Sequence, residues 1–327
     1  MKPRVAVLLP CHNEALTIAK VVANFRENLP NAEIYVYDNR STDNTAEEAR
    51  AAGAIVRYEP QPGKGSVVRR MFADIDADVY VIADGDGTYE SAATPHLIDT
   101  LFSNQLDMVV GTRRSLVNDT KAYRPGHRGG NLFLTTCIKL MFDARLSDLL
   151  SGYRIFSRRF VKSFPALSNG FEIETELAVH ALELQMPFTE VPTLYSSRPE
   201  GSVSKLKTFT DGWRILGTAL LLFKEVRPFL FFGIIFLILL FVSLVLGVPV
   251  VLTFLETSLV PRFPTAILAA SIGLLSFISL TCGIVLDSVA RGRRESKRMT
   301  YLSYSVPTLS FPLQDIVPEF RKIKEQA

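Results

Sequence analysis

Two long stretches in the last third of the chain contain no charged residue. Residues 229–255 form a run of 27 and residues 263–286 a run of 24. A helix of about 20 apolar residues crosses the hydrocarbon core of a bilayer, so each run is long enough to span a membrane. The mean hydropathy of the chain, +0.20, agrees with a protein that lies partly in lipid. The pattern predicts two transmembrane helices rather than two buried helices of a soluble core.

The two runs form a hairpin with basic flanks. Only residues 256–262 separate them, so the segments before and after the hairpin lie on the same side of the membrane. Arg262 is the only basic residue in the turn, whereas the flanks contain seven basic residues: Lys224, Arg227, Arg291, Arg293, Arg294, Lys297 and Arg298. Because cytoplasmic loops carry an excess of Lys and Arg, we expect a two-span membrane protein whose N-terminal domain and both termini are cytoplasmic.

The segment before the hairpin is amphipathic. From Leu206 to Phe223, apolar residues recur at steps of three and four, with charged residues on the other faces. This spacing predicts a helix over residues 204–225. It either lies in the membrane interface, with Trp213 at headgroup level, or packs on the soluble core. Residues 132–146 show a similar pattern, with the same two interpretations.

The first 203 residues alternate strand and helix patterns. Runs rich in β-branched residues occupy five short ranges, with helical patterns in most of the gaps: 4–9, 33–37, 54–57, 79–83 and 107–110. This alternation predicts an α/β domain with a Rossmann-like, mostly parallel sheet. The predicted layout is a cytosolic domain over 1–203, the amphipathic helix over 204–225, the hairpin over 226–290 and a basic cytosolic tail over 291–327.

Two carboxylates lie directly after the strand-like run VYVIA, in the motif Asp84-Gly85-Asp86. Ligands of α/β sheets bind beyond the carboxyl ends of the strands. Carboxylates one residue apart on a glycine turn can share a hard divalent cation such as Mg²⁺ or Mn²⁺. Such a cation bridges phosphates and stabilises the charge on a leaving group. Asp-Gly pairs are also common in ordinary turns, so the motif alone leaves a structural role open.

Several function classes are disfavoured by the same sequence. No GxGxxG follows the first strand and no GxxxxGK[ST] occurs, which argues against a dinucleotide enzyme or a P-loop NTPase. A net charge of +3 provides no basic character for a nucleic-acid partner. Cys11, Cys137 and Cys282 are far apart and lack metal-ligand spacing, so we expect free thiols.

Four motifs occur in the order VAVLLPCHNE, VYDNRSTDNT, PGKG and VIADGDGTYE. With them the chain resembles glycosyltransferase family 2, which has the GT-A fold. The later stretches SDLLSGYRIFSR, GFEIETELAVHAL and EVPTLYSSRPEGSVSKL resemble the branch that contains dolichyl-phosphate mannose synthases and bacterial polyprenyl-phosphate glycosyltransferases. The resemblance covers residues 4 to about 224 and implies that residues 1–203 are a GT-A catalytic domain.

The resemblance implies a set of residues that bind the nucleotide sugar: Pro10, Asn13, Glu14, Asp38, Lys64, Asp84, Gly85 and Asp86. Within it, Asp84 and Asp86 are the metal ligands. Asp38 also fits a turn that caps the following helix, and Lys64 also fits a solvated loop. The chain departs from the mannose synthases at Thr88, where a glutamine often stands, which leaves a third protein ligand to the metal in doubt.

On the acceptor side the resemblance implies residues that hold a phosphate monoester: Arg113, Arg128, Arg198, Ser202, Ser204 and Lys205. Arginine suits this task because its planar donors grip phosphate oxygens in pairs. Attraction to anionic lipids is the alternative reason for these basic residues. Asp148, Arg154 and Glu174 are expected to contact the sugar or to shape the site.

These residues predict inverting transfer of a hexose or N-acetylhexosamine from a nucleotide sugar to undecaprenyl or dolichyl phosphate, with Asp84, Asp86, Arg113 and Arg198 in catalytic roles. A UDP-sugar is favoured as donor, with GDP-mannose as the second choice. A processive synthase is disfavoured by the two spans and the missing QxxRW. A transferase with a hydroxyl acceptor and a catalytically inactive scaffold that binds a nucleotide sugar also fit the motifs. The sequence leaves open whether the chain forms a homo-oligomer.

Overall fold

A mixed sheet lies at the centre of the N-terminal part of the chain. The computed structural model describes residues 3–115, 148–149, 151–196, 217 and 220–307. The chain divides into two units, Met1–Thr218 with Lys297–Ala327, and Ala219–Ser296. The strands of the first unit are β1 Val5–Cys11, β2 Glu33–Asp38, β3 Ile55–Tyr58, β4 Val79–Ile82, β5 Met108–Ser115, β6 Arg154–Ser157 and β7 Phe188–Tyr195.

Within the described residues, the strand order is β3-β2-β1-β4-β6-β5-β7. Strands β1 to β4 pair in parallel. Strand β6 runs antiparallel between β4 and β5, while β7 pairs in parallel with β5. The predicted α/β fold with a mostly parallel sheet is confirmed, and each of the five predicted strand ranges overlaps a strand. Strand β5 is longer than predicted, since it continues to Ser115.

Helices cover the sheet and bury their apolar faces on it: α1 Ile18–Asn28, α2 Thr45–Ala51, α3 Lys64–Asp74, α4 Thr94–Ser103, α5 Arg158–Ser163 and α6 Ile173–Glu183. Helix α1 shows the sequence cause, because its buried residues Ile18, Val21, Val22 and Phe25 recur at helical spacing. Strands β1 and β4 are buried along nearly their whole length. Their carboxyl ends, together with that of β2, therefore form a rigid edge.

The second unit holds two long apolar helices, α7 Pro228–Thr257 and the first part of α8 Phe263–Leu302. Both are long and apolar enough to cross a membrane, as predicted. They pack through small residues: the Ser243 hydroxyl donates to the Ala269 carbonyl at 2.8 Å, and a Cβ at Gly283 would lie 3.0 Å from that of Phe232. Such close approach is typical of helix pairs in lipid. That the two helices span a membrane, and which side the flanks face, stay predictions.

Helix α8 continues past the predicted second span, through residues predicted to belong to the tail, and ends at Leu302. Other predictions lie outside the described residues. These are the stretch 132–146, most of the helix predicted over 204–225, and the tail after residue 307.

Candidate active site

The loop after β4 carries the paired carboxylates. Asp86 is buried, and its Oδ1 accepts hydrogen bonds from the Thr88 amide at 3.1 Å and the Thr88 hydroxyl at 2.7 Å. Gly87 supplies the positive φ of +73° that the turn requires. Thr88, at the position where the mannose synthases often have glutamine, therefore orients Asp86 through its hydroxyl.

Gly85 fits tightly between the two carboxylates. Its carbonyl accepts a hydrogen bond from the Thr17 hydroxyl at 2.7 Å, and a Cβ at this position would lie 2.4 Å from the Cys11 sulfur. Cys11 is a buried free cysteine, and burial raises the pKa of its thiol, with Glu14 adding to the effect. The thiol is therefore neutral, and it packs against the backbone of the loop at Gly85.

Lys64 bridges the first carboxylate of the motif to a distant helix. Its Nζ lies 2.5 Å from Asp84 Oδ1 and 2.7 Å from Glu174 Oε1. Burial would lower the pKa of Lys64, but the Asp84 and Glu174 carboxylates outweigh it and raise the pKa above its usual value. Lys64 is thus a fixed cation at the Asp84-Gly85-Asp86 motif, and not a solvated loop residue.

Gly152 lies directly against this ion pair. A Cβ at this position would lie 2.8 Å from Asp84 Oδ2 and 2.9 Å from Lys64 Nζ. The amide of Gly152 donates to the Tyr89 hydroxyl at 2.9 Å. Only a residue without a side chain leaves both charged groups in place.

The loop before Lys64 is held by Asn39, a residue that the sequence did not single out. Its side-chain amide donates to the carbonyls of Glu59 at 2.9 Å and Gln61 at 2.6 Å, and its Oδ1 accepts from the Gly63 amide at 2.8 Å. Its position beside Asp38, at the end of β2, was the available signal.

The predicted nucleotide loop lies at the ends of β1 and β2. Asn13 Oδ1 accepts from the Thr42 amide at 2.7 Å, and Asp38 Oδ1 accepts from the Ser41 amide at 3.1 Å. The Glu14 amide donates to the Thr45 hydroxyl at 2.8 Å. Pro10, Asn13, Glu14 and Asp38 are thereby brought together. Asp38 makes the turn contact that a structural role requires, and its role at the nucleotide stays a prediction.

Arg113 is held by a carboxylate. Its Nε and Nη2 donate to the two oxygens of Asp148 at 2.8 and 2.6 Å. Burial would lower the pKa of Arg113, but its bonds to Asp148 outweigh burial and raise the pKa. Burial would raise the pKa of Asp148, but the contact with Arg113 lowers it overall, so both groups are charged. The guanidinium carbon also lies 5.7 Å from the centre of the Tyr195 ring.

Three tyrosines connect this pair to the metal motif. The Tyr89 ring lies 5.3 Å from that of Tyr153 and 5.4 Å from that of Tyr195. The Ser196 amide donates to the Thr88 carbonyl at 3.0 Å. The end of β7 is thus fixed to the loop that holds Asp86. Sequence reasoning missed this aromatic group because its members are far apart in the chain and because β7, which carries Tyr195, was not predicted as a strand.

Arg154 is fully buried and donates to backbone carbonyls, to that of Leu149 at 2.5 Å and that of Ser151 at 2.9 Å. Burial lowers its pKa. These contacts hold the backbone between Asp148 and Gly152, as a site-shaping role requires. Five predicted acceptor residues lie outside the described part of the chain: Arg128, Arg198, Ser202, Ser204 and Lys205.

The donor set at Asp84 and Asp86 fits a hard cation. Within the described residues, no group of three or more His, Cys, Asp or Glu side chains is arranged to hold a metal. Two carboxylates leave most coordination positions to a phosphorylated ligand and water, as is usual for Mg²⁺. A buried carboxylate, Asp86, next to a partly exposed one, Asp84, at a strand end and beside a fixed lysine is thus suited to a metal–diphosphate.

The chain is similar in sequence to known proteins. The family model for Glycosyl transferase family 2 matches residues 6–164. Glycosyltransferase AglJ of Haloferax volcanii is 36% identical over 235 residues, which are 70% of this chain and 75% of AglJ. Undecaprenyl-phosphate mannosyltransferase of Micrococcus luteus is 23% identical over 214 residues, 61% of this chain and 86% of that protein.

A solved structure shares the fold. Glucosyl-3-phosphoglycerate synthase of Mycobacterium tuberculosis, crystallised with Mn²⁺, uridine diphosphate and phosphoglyceric acid, has a TM-score of 0.55 at 22% identity. The match covers 68% of this chain and 78% of that chain. The fold and the carboxylates after its central strand define a GT-A type of sugar transferase. The chain belongs to glycosyl transferase family 2.

Proposed function

We propose that the protein transfers a hexose or N-acetylhexosamine, with inversion, from a nucleotide sugar to a polyprenyl phosphate. The observation that carries the proposal is the cluster of Asp84, Asp86 and Lys64 beside the Arg113–Asp148 pair. It combines a site for a metal–diphosphate with a second fixed cation. Two apolar helices in the same chain favour a lipid acceptor, and the named activity of the Micrococcus luteus relative is of this class.

The chemistry needs little from a general base. A phosphate monoester is already ionised at neutral pH, so its oxygen can attack the anomeric carbon directly. Glu174 and Asp148 are both engaged by cations, with Lys64 and Arg113 respectively, which suits a role in positioning rather than proton transfer. The chain must therefore mainly align the reactants and stabilise the departing diphosphate.

On the donor side, Asp84 and Asp86 would hold Mg²⁺ or Mn²⁺, which neutralises charge on the leaving diphosphate when bound. Lys64 supplies a further positive charge next to Asp84. A UDP-sugar is the favoured donor and GDP-mannose the second choice. Pro10, Asn13, Glu14 and Asp38 would line the nucleotide, and Gly85 allows its close approach.

On the acceptor side, Arg113 is oriented for a phosphate. Asp148 engages the Nε and Nη2 edge of the guanidinium, so the Nη1 group takes no part in this ion pair. With Arg113 we place Arg128, Arg198, Ser202, Ser204 and Lys205 at the lipid phosphate. We further propose that the hairpin spans the membrane with the catalytic domain in the cytoplasm.

The test is a matrix of donors and acceptors with the full-length protein in detergent micelles. UDP-glucose, UDP-N-acetylglucosamine and GDP-mannose are each combined with undecaprenyl phosphate, dolichyl phosphate or 3-phosphoglycerate, with Mn²⁺ or Mg²⁺ present. We expect one donor to give a lipid-linked sugar that chromatography separates from the nucleotide sugar. No such product should form after EDTA has removed the metal. Transfer to 3-phosphoglycerate, with no lipid product from any donor, would contradict the proposal.

The Arg113–Asp148 pair provides a prediction about acceptor affinity. Asp148→Asn removes the charge that holds Arg113, and a hydrogen bond between charged groups is worth about 1.5–3 kcal/mol. We expect the KM for polyprenyl phosphate to rise by roughly 10-fold or more, while the KM for the nucleotide sugar changes less than about 2-fold. Steady-state kinetics with each substrate varied in turn measures both.

The matched control is Glu47→Gln, which removes one exposed carboxylate from α2. It should leave both constants unchanged. An Asp148→Asn enzyme that keeps its affinity for the lipid and loses affinity for the nucleotide sugar would place Arg113 on the donor side instead.

A further inference from the structure

A fully buried carboxylate lies outside the candidate active site. Asp107 precedes β5 and has no exposed surface. Its oxygens accept hydrogen bonds from the Ser157 hydroxyl at 2.7 Å, from Nη2 of Arg159 at 2.8 Å, and from Nε of Arg159. A fourth bond comes from the Tyr301 hydroxyl at 2.8 Å. Tyr301 lies 194 residues further along the chain, beyond both apolar runs.

A second carboxylate, whose side chain is largely shielded from solvent, has a partner one turn before Tyr301 in α8. Lys297 Nζ lies 2.7 Å from Glu183 Oε2, and the Glu183 side chain is only 6% exposed. The Arg298 guanidinium donates to the Leu184 carbonyl at 3.5 Å. The end of α6 is therefore paired with residues that follow the hairpin.

Stacking adds to these polar contacts. The guanidinium carbon of Arg159 lies 4.6 Å from the centre of the Tyr301 ring, and that of Arg158 lies 5.8 Å from the Tyr304 ring. A cation this close to an aromatic face is attracted by the ring quadrupole. Met299 lies between Lys297 and Tyr301 in the sequence, but its side chain is 69% exposed to solvent.

We infer that residues 297–304 are a clasp that completes the glycosyltransferase domain from beyond the hairpin in the sequence. The domain is then built from two segments that the apolar helices separate along the chain. Residues 297–304 lie beyond the range 6–164 that the family model matches. Without the clasp, Glu183 would lose the cation that lies beside it in the described part of the chain, and Asp107 would lose one of its donors. Each loss is unfavourable because a buried charge needs its partners.

The clasp makes a prediction about local opening of the domain. In the full-length protein, Lys297→Met should increase hydrogen exchange of the backbone amides around Glu183 by about 100-fold or more. Tyr301→Phe removes one hydrogen bond and should increase exchange around Asp107 by roughly 5- to 10-fold. Hydrogen–deuterium exchange with mass spectrometry measures both, and it does not depend on which sugar or acceptor the enzyme uses.

Two controls make the experiment decisive. Met299→Ala, on the exposed face of the same turn, should leave both regions protected as in the wild type. Lys297→Met combined with Glu183→Met replaces the ion pair by apolar side chains and should restore protection around residue 183, because a buried pair can be exchanged for apolar residues with little loss. Wild-type exchange in Lys297→Met and Tyr301→Phe would overturn the inference.

Discussion

Asp86→Asn is expected to reduce sugar transfer by about 10²- to 10³-fold or more, because removing one preorganised group that stabilises transition-state charge typically costs that much. The substitution keeps the size of the side chain. It also keeps an oxygen that can accept the Thr88 hydrogen bonds. What it removes is the negative charge that a divalent cation requires. The rate of lipid-linked sugar formation at saturating substrates measures the loss.

Thr88→Val is a milder substitution that tests the same carboxylate. It removes the hydroxyl that donates to Asp86 Oδ1 at 2.7 Å, so the carboxylate is retained and loses one orienting contact. We expect an intermediate loss of about 10-fold, the value of one ordinary hydrogen bond. If Asp86→Asn binds Mn²⁺ and uridine diphosphate in calorimetry as tightly as the wild type, Asp86 is not a metal ligand.

Lys64→Met is expected to abolish transfer and to destabilise the domain together. Lys64 is the shared partner of Asp84 and Glu174, and the Glu174 side chain is only 8% exposed. Removing one partner of a buried ion pair costs about 3–5 kcal/mol. Thermal unfolding of the purified protein reports the stability, and the lipid-product assay reports the activity. Lys20→Met, which replaces a lysine on the solvent side of α1, should change neither.

A double variant separates the two effects of Lys64. Lys64→Met with Glu174→Gln removes both charges of the more buried of the two Lys64 ion pairs, so most of the lost stability should return. The activity should not return, because the cation beside Asp84 is still missing. Recovery of activity in the double variant would mean that Lys64 serves only to neutralise Glu174.

The sheet was predictable where its strands are apolar on both faces. Strand β4 and its neighbour β1 are runs of β-branched and aliphatic residues, and each was predicted to within two residues at either end. Strand β6 is only four residues long and begins with Arg154. Strand β7 contains Pro192 and reads as a loop. Short or interrupted strands depend on pairing partners that a local pattern does not contain.

The candidate site likewise contains contacts that local sequence predicts and contacts that only the fold reveals. Asp84 and Asp86 are close in sequence, so their proximity at a strand end follows from local spacing. The Lys64–Glu174 contact joins residues 110 positions apart, and the Arg113–Asp148 contact joins residues 35 apart. Resemblance indicated that these four residues belong to one site. Only the fold shows that they neutralise one another in pairs, and no local pattern indicated Asn39 or the clasp.

Two contacts join the end of β7 to the Asp86 turn. They are the hydrogen bond from the Ser196 amide to the Thr88 carbonyl and the β-bridge between Tyr89 and Tyr195. The chain leaves this point directly into the segment that carries Arg198, Ser202, Ser204 and Lys205. A ligand that rigidifies the Asp86 turn therefore also fixes the root of that segment. If that segment binds the acceptor as proposed, occupancy by one substrate should change the affinity for the other, and thermodynamic reciprocity makes the factor equal in both directions. The two substrates would show synergy in binding, without any direct contact between their recognition groups.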